Sequence, residues 1–343
     1  MKEMKKINLQ LFAGENNPNL NPNATTSAGL AVENKTFYDM ALLREAAPNL
    51  IHDQFGQKKP IPKNGGKTIE FRKYASLPKL HDKPIQEGVT PEGQTLSASK
   101  IEATVEQYGG FVTLTDMLDL TAIDNNIVEA TTAIGRQAGL TLDTITRNAL
   151  HSACSAWYAP KADGTVVSSR SALDATCKLT VSLIKKVVAQ LRADNTPTFD
   201  GDYVAIIHPY VAYDLMEDPK WEEYHKYTTP ENLFKGEIGR IAGVRFVQTS
   251  EAKIYAGDKD GCPSGLAVFG TLIMGKDAYG TTEITGGGLE TIVKQLGSGG
   301  TSDPLNQRST VGWKATKVAE LLFEPYMWRI ESVSEFSPDA AAN

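Results

Sequence analysis

The segment IPKNGGKTIEFRKY, Ile61 to Tyr74, runs a glycine pair into Lys67 and Thr68, the residue types that close a phosphate-binding loop. That chemistry needs a first glycine five residues ahead of Gly66, so that successive backbone N–H groups curl around the phosphates. Ile61 stands there instead. The loop must also open a helix whose N-terminus faces the anion. Here Thr68, Glu70, Arg72 and Tyr74 alternate with Ile69, Phe71 and Ala75, the period of a strand. Gly65 and Gly66 therefore read as a turn feeding a strand.

Other candidate chemistry is sparse. The histidines His52, His81, His151, His208 and His225 form no HExxH or HxH spacing, and His208, ahead of Pro209 at a strand end, reads as a capping or hydrogen-bonding group. Cys154, Cys177 and Cys262 are an odd set without CxxC spacing, so they read as buried thiols. No GxSxG elbow is present. In LGSGGTS the glycines 297, 299 and 300 miss the dinucleotide spacing, and Pro304 follows where a helix would continue. Around EDPKWEEYHKY, the aromatic residues Trp221, Tyr224 and Tyr227 form either a contact patch or part of a packed core. The survey nominates no catalytic residue, no cofactor site and no metal ligands.

The elements that would hold such groups follow from composition and period. The chain has 343 residues, 41% hydrophobic and 22% charged, enough for two or three domains. A net charge of −6 argues against a dedicated nucleic-acid binder. The opening MKEMKKINLQLFAG has an apolar stretch broken by Asn8 and Gln10, too short for an export signal, and no run suits a membrane span. A soluble protein made in the cytosol is expected.

ENNPNLNPNATTSAG, residues 15 to 29, has little to bury and reads as a flexible arm. FYDMALLREAAPNLIHDQF suggests a short helix stopped at Pro48. Between the strand ending near Ala75 and a second strand-like segment, IEATVEQYGGFVTLTDM, lies a polar stretch with Pro78, Pro84 and Pro91. A connection that long tends to reach for a partner, and the pair reads as a projecting hairpin. From Asn125 to Ser155, Ile127, Ile134, Ala138, Leu142, Ile145 and Ala149 recur at helical spacing, with Glu129, Arg136 and Asp143 on another face and Asp143 and Arg147 placed to pair. Beyond it TVSLIKKVVAQLRADN reads as an amphipathic helix and YVAIIHP, AGVRFVQTS and GLAVFGTLIMG as strands, a mixed α/β region. ATKVAELLFEPYMWRIESVS reads as helix or strand.

Several stretches carry a resemblance. MKKINLQLFAG is similar to the starts of structural proteins of phages from low-GC Gram-positive hosts. NGGKTIEFRKY, HPYVAYDLMED, GEIGRIAGVRFVQTSEA and SDPLNQRSTVGWKATKVAELL resemble segments of the tailed-bacteriophage major capsid proteins related to that of coliphage N4. The resemblance runs from about Phe37 to Val333 and implies an α+β fold of the Hong Kong 97 type. It implies an N-terminal arm at 1–35, a peripheral domain at 36–60 and 109–175 with a spine helix near 125–155, an extended loop at 61–108, and an axial domain at 176–343.

The implied function is a non-enzymatic major capsid protein, self-assembling into pentamers and hexamers of an icosahedral shell around double-stranded DNA. Its partners would be a separate scaffolding protein, a portal protein and weakly held DNA, with assembly in the bacterial cytoplasm. A decoration or tail protein is the alternative, and an enzyme of unknown type a more distant one. Gly65, Gly66, Lys79, His81, Asp82, Lys83, Glu87, Trp221 and Tyr224 are the candidate inter-subunit contacts.

Overall fold

The computed structural model describes residues 42, 45, 46, 50–61, 67–74, 77, 88, 93–121, 126–225, 239–283, 289–298 and 303–343. In chain order the first strands are β1 (Gln57–Lys59), β2 (Thr68–Tyr74), β3 (Ala98–Thr104) and β4 (Glu106–Thr115). Helices α1 (Asp116–Thr121) and α2 (Asn126–Ala153), strand β5 (Ala156–Tyr158), helix α3 (Val181–Ala193), strand β6 (Tyr203–Ile207), and helices α4 (Pro209–Met216) and α5 (Pro219–His225) follow. The remainder is mostly strand: β7 (Arg240–Ile241), β8 (Val244–Gln248), β9 (Ile254–Ala256), β10 (Ala267–Met274), β11 (Tyr279–Thr282), β12 (Leu289–Lys294), β13 (Arg308–Lys317), β14 (Ala319–Leu321) and β15 (Met327–Ser332). The segment read as helix or strand after Lys314 is therefore strand, broken by a 3-10 turn at Glu324–Tyr326.

The chain divides into two compact units, one drawing on residues 1–48, 109–139 and 289–314 and the other on 49–108, 140–288 and 315–343. The first unit holds the sheet β12-β13-β4. Asp116 N donates to Gln307 O at 3.0 Å and Trp313 Nε1 to Gln137 Oε1 at 3.3 Å, tying strand ends and helix α2 into it.

The second unit is built on the sheet β5-β15-β10-β6-β8-β7, with β9 also paired to β10. Every residue of β6 and β10 is buried. Such continuous apolar runs arise when both faces of a sheet are covered. In β6, Tyr203, Ala205 and Ile207 pack with Leu183, Ile184, Val187 and Leu191 of α3. Val204 and Ile206 face the other way, onto Leu150 and Cys154 at the end of α2. Leu183, Ile184, Val187, Val188 and Leu191 of α3, which reads as amphipathic in the sequence, are all buried, and the Thr180 side chain caps its N-terminus by accepting from Leu183 N. His208 caps α4 by accepting from Tyr210 N at 3.2 Å, with Pro209 in the first turn. All three cysteines are free and buried.

Helix α2 is 28 residues long, as its period predicts, and buries Ile134, Ala138, Leu142 and Leu150. Asp143 departs from the expectation: it is 0% exposed and does not pair with Arg147. Its oxygens are taken by His52, one by the backbone N–H and one by Nδ1, both at 2.7 Å. Arg147 instead donates from Nη1 to the Glu251 carbonyl at 2.7 Å. Both charges are withdrawn from solvent, and each finds its own partners on a neighbouring segment. Of the helix expected before Pro48, Leu42, Glu45 and Ala46 are helical and the rest lies outside the described residues. No helix among the described residues is long and apolar enough to cross a membrane.

Candidate functional site

Strands β2 and β3 pair antiparallel over seven residues, from Thr68 opposite Thr104 to Tyr74 opposite Ala98. A strand therefore follows Lys67 where a phosphate loop would need a helix. The alternation read from sequence sets its two faces: Ile69 and Phe71 are buried while Glu70 and Arg72 are exposed.

The inner face joins Ile69, Phe71 and Ala103 to Leu322, with Ile61, Ile101, Val105, Val318 and Phe323 around them. Phe71 lies over Gly280 of β11, its ring occupying the space where any side chain at 280 would begin. The cations of this face lie over aromatic rings: Lys73 Nζ is 4.1 Å from the Phe323 centroid and Lys59 Nζ 5.0 Å from that of Phe71. Lys59 Nζ also donates to Glu70 O at 2.6 Å. On the outer face Lys100 bridges Glu102 and Glu70, which raises its pKa through the Glu102 hydrogen bond first. Those groups are solvated, so the bridge serves register more than stability.

Beneath the hairpin root, β11 lies between β1 and β14 and carries a buried polar knot. Thr281 Oγ1 donates to Asp53 Oδ1 at 2.7 Å, and Lys317 Nζ bonds Thr281 Oγ1 at 2.6 Å while ion-pairing with Asp53. Burial pulls the Lys317 pKa below its ordinary value, and Asp53 pulls it back. Tyr279 donates to the His52 carbonyl, and burial raises its pKa well above the ordinary value. His52 in turn holds Asp143 of α2. β11, on which Phe71 packs, is thus tied through Tyr279 and His52 to Asp143 of α2 by buried hydrogen bonds.

Gly65, Gly66, Lys79, His81, Asp82, Lys83 and Glu87 lie outside the described residues. Trp221 is 5% exposed and packs edge-to-face on Phe246, 5.6 Å between centroids. The open choice at that residue resolves to packed core and corrects the contact reading for its indole, because α5 turns it onto β8. Tyr224 falls on α5.

The knot of Asp53, Thr281 and Lys317 was missed. Its one sequence signal is a lysine at an inward position of an otherwise alternating strand. Among the described residues no group of three or more His, Cys, Asp or Glu could hold a metal. A cavity of about 630 Å³, lined by Phe111, Ile292, Arg308 and Trp313 among others, brings no nucleophile to a base.

A doubly covered mixed sheet, a long helix and a hairpin packed by its inner face make an α+β fold of the Hong Kong 97-like class. A family model described as phage capsid protein matches residues 98–325. The chain belongs to that family, and its role is that of a major capsid protein of the phage shell. Among solved structures it is similar to the capsid of Ralstonia phage GP4, with 15% identity, TM-score 0.63, and 84% of this chain and 89% of that one covered. The capsid of cyanophage P-SCSP1u is similar at 12% identity, TM-score 0.60, and 82% and 87% coverage. That of cyanophage Pam1 follows at 14%, 0.59, and 84% and 92%. No curated protein sequence matches.

Proposed function

We propose that copies of this chain close into pentamers and hexamers of an icosahedral shell around double-stranded DNA, and that residues 61–108 are the loop by which each subunit grips a neighbour. The β2–β3 hairpin carries this reading. An isolated two-stranded ladder is marginal in water, and this one is anchored by its inner face near the root. Among the described residues its outer edges pair with no further strand. Such edges suit strand addition to a second chain, with backbone hydrogen bonds giving affinity and alternate side chains giving register. Lys79, His81, Asp82, Lys83 and Glu87 supply both charge signs for a rim.

On this reading residues 1–35 are the arm, 36–60 and 109–175 the peripheral domain, and 176–343 the axial domain. The narrower kinship is to the coliphage N4 type. A standard interface buries roughly 1,600 Å². Contacts of only micromolar strength, about 8 kcal/mol each, still close a durable shell when every subunit makes several. A net charge of −6 suits an inner wall that holds DNA weakly. A separate scaffolding protein and a portal complete the partners, and assembly takes place in the bacterial cytoplasm.

Negative-stain electron microscopy with light scattering on the purified chain tests the proposal. Shells, rings, tubes or sheets are expected from the full chain. A chain with Ser76–Ser97 replaced by a short turn should stay folded and give none of them. Shells from the shortened chain would remove the loop from the contact.

A further inference from the structure

At one edge of the second unit, Asn148, His151 and Ser152 from the last turns of α2 meet Arg170, Lys253, Tyr255 and Arg329 around a cavity of about 320 Å³. Three cations line it and no carboxylate does. They converge on one ring: the Arg170 guanidinium lies 3.6 Å over the Tyr255 centroid, Lys253 Nζ is 5.6 Å away and Arg329 5.9 Å. The counter-ion of the two arginines, Glu331, is fully buried and shared. It accepts from Arg170 Nε and Nη2, each at 2.6 Å, and lies 2.8 Å from Arg329 Nε. One carboxylate thus serves two guanidiniums from behind, with Arg170 Nη1 also donating to Asp260 O and Arg329 Nη1 to His151 O. Lys253 Nζ donates to Asn343 O, and its pKa is lowered by burial first and then by Arg147 and Arg170, against the pull of Asp260.

The floor holds a second, independent sign. His151 is 3% exposed, and its Nδ1 is 3.2 Å from the Tyr255 hydroxyl. Its Nε2 is buried with no hydrogen-bond partner among the described residues. With Tyr255 donating to Nδ1, the neutral ring carries its proton on Nε2, an unused donor among cations. An unpartnered buried donor is destabilising, and Gly270, whose missing side chain leaves room for this ring, holds it in place.

We propose that this cavity is a phosphate-binding site: a single phosphate group, free or in a nucleic-acid backbone, seats between Lys253, Arg170 and Arg329 and accepts from His151 Nε2. A tetrahedral dianion matches donors arriving from several directions, whereas a carboxylate repeats only what Glu331 already does. The site stands apart from the hairpin reading and can fail or succeed without it.

The test is the unfolding midpoint of the unassembled full chain titrated with inorganic phosphate, against sodium chloride at matched ionic strength. Stabilisation should rise with the logarithm of phosphate concentration. Lys253→Gln should weaken apparent affinity roughly tenfold by removing one charge-assisted contact. Asn148→Asp should abolish it, since it puts a negative charge on the rim yet keeps an acceptor for Arg147. The distant Lys220→Gln should leave it unchanged. A short DNA duplex competing with phosphate and showing the same dependence on both variants identifies backbone phosphates as the ligand, and phosphate binding without competition identifies the free ion. Phosphate acting no better than chloride, an equal response in all variants, or a response to glutamate and not to phosphate overturns the proposal.

Discussion

Two buried charges close together at Asp53 and Lys317 stabilise less by their attraction than they destabilise when parted. Removing one partner leaves the other desolvated without compensation, which typically costs about 3–5 kcal/mol. Lys317→Met alone should therefore lower the stability of unassembled subunits by that order, with Thr281 also losing a partner. The double substitution Asp53→Asn with Lys317→Met should recover most of the loss, because amide and thioether need no counter-charge. Urea unfolding of both variants decides it. Equal losses would mean the knot acts through shape and not through charge.

Histidine burial makes the same fold sensitive to acid. Burial lowers the His208 pKa from 6.5 to about 4, and His151 is held well below its ordinary value by burial first and then by the charges of His52, Arg329, Arg147 and Lys253. Between pH 6.5 and 4 the unfolded chain therefore binds more protons than the folded one. Stability is full above about pH 6.5 and falls as pH drops through that window. His208→Asn keeps an N-cap acceptor but removes one titration. Its midpoint against pH should be flatter than that of the unaltered chain, and parallel curves would exclude His208 as a contributor.

At the scale of elements, the hairpin hangs on Phe71 and the bare backbone of Gly280. Phe71→Ala should cost about 3–5 kcal/mol if the site cannot collapse. The loss should show first as faster amide exchange in β2 and β3 and only later in β10. Uniform acceleration across the second unit would mean that the hairpin root belongs to the global core.

Legibility of these elements in the sequence tracked how local their signals are. The alternation in β2, the apolar positions of α3 and the length of α2 were readable because period alone decides which face is buried. Asp143 was misplaced because a carboxylate at a polar phase of a helix looks solvated until a distant residue, His52, is known to cover it. The strand after Lys314 was ambiguous, since short apolar runs fit either period. The cluster at Arg170, Lys253 and Arg329 left no trace at all, its members coming from three separated segments. Trp221 could not be assigned to surface or core until α5 was seen to turn it onto Phe246.

At the scale of the whole molecule, assembly needs surface that a single subunit leaves uncovered. The first unit carries such surface: Phe111 is 73% exposed and Leu120 80%, with Met117 and Leu118 also open to solvent. Large apolar groups gathered on one region mark an interaction site more often than chance exposure does. Covering each recovers roughly 25 cal/mol per Å² buried, a gain repeated at every copy in a closed shell. Phe111→Ser with Leu120→Ser should therefore leave the unfolding midpoint of unassembled subunits nearly unchanged, because neither side chain is in the subunit core. The same variant should raise the protein concentration at which light scattering first reports assembly, by roughly tenfold for each 1.4 kcal/mol lost per subunit. An unchanged threshold would place the inter-subunit contacts elsewhere and leave this apolar face to a different partner in the particle. A collapsed midpoint would show that these residues act within the subunit after all, and would move the search for the shell contact to the exposed strand edges of the hairpin.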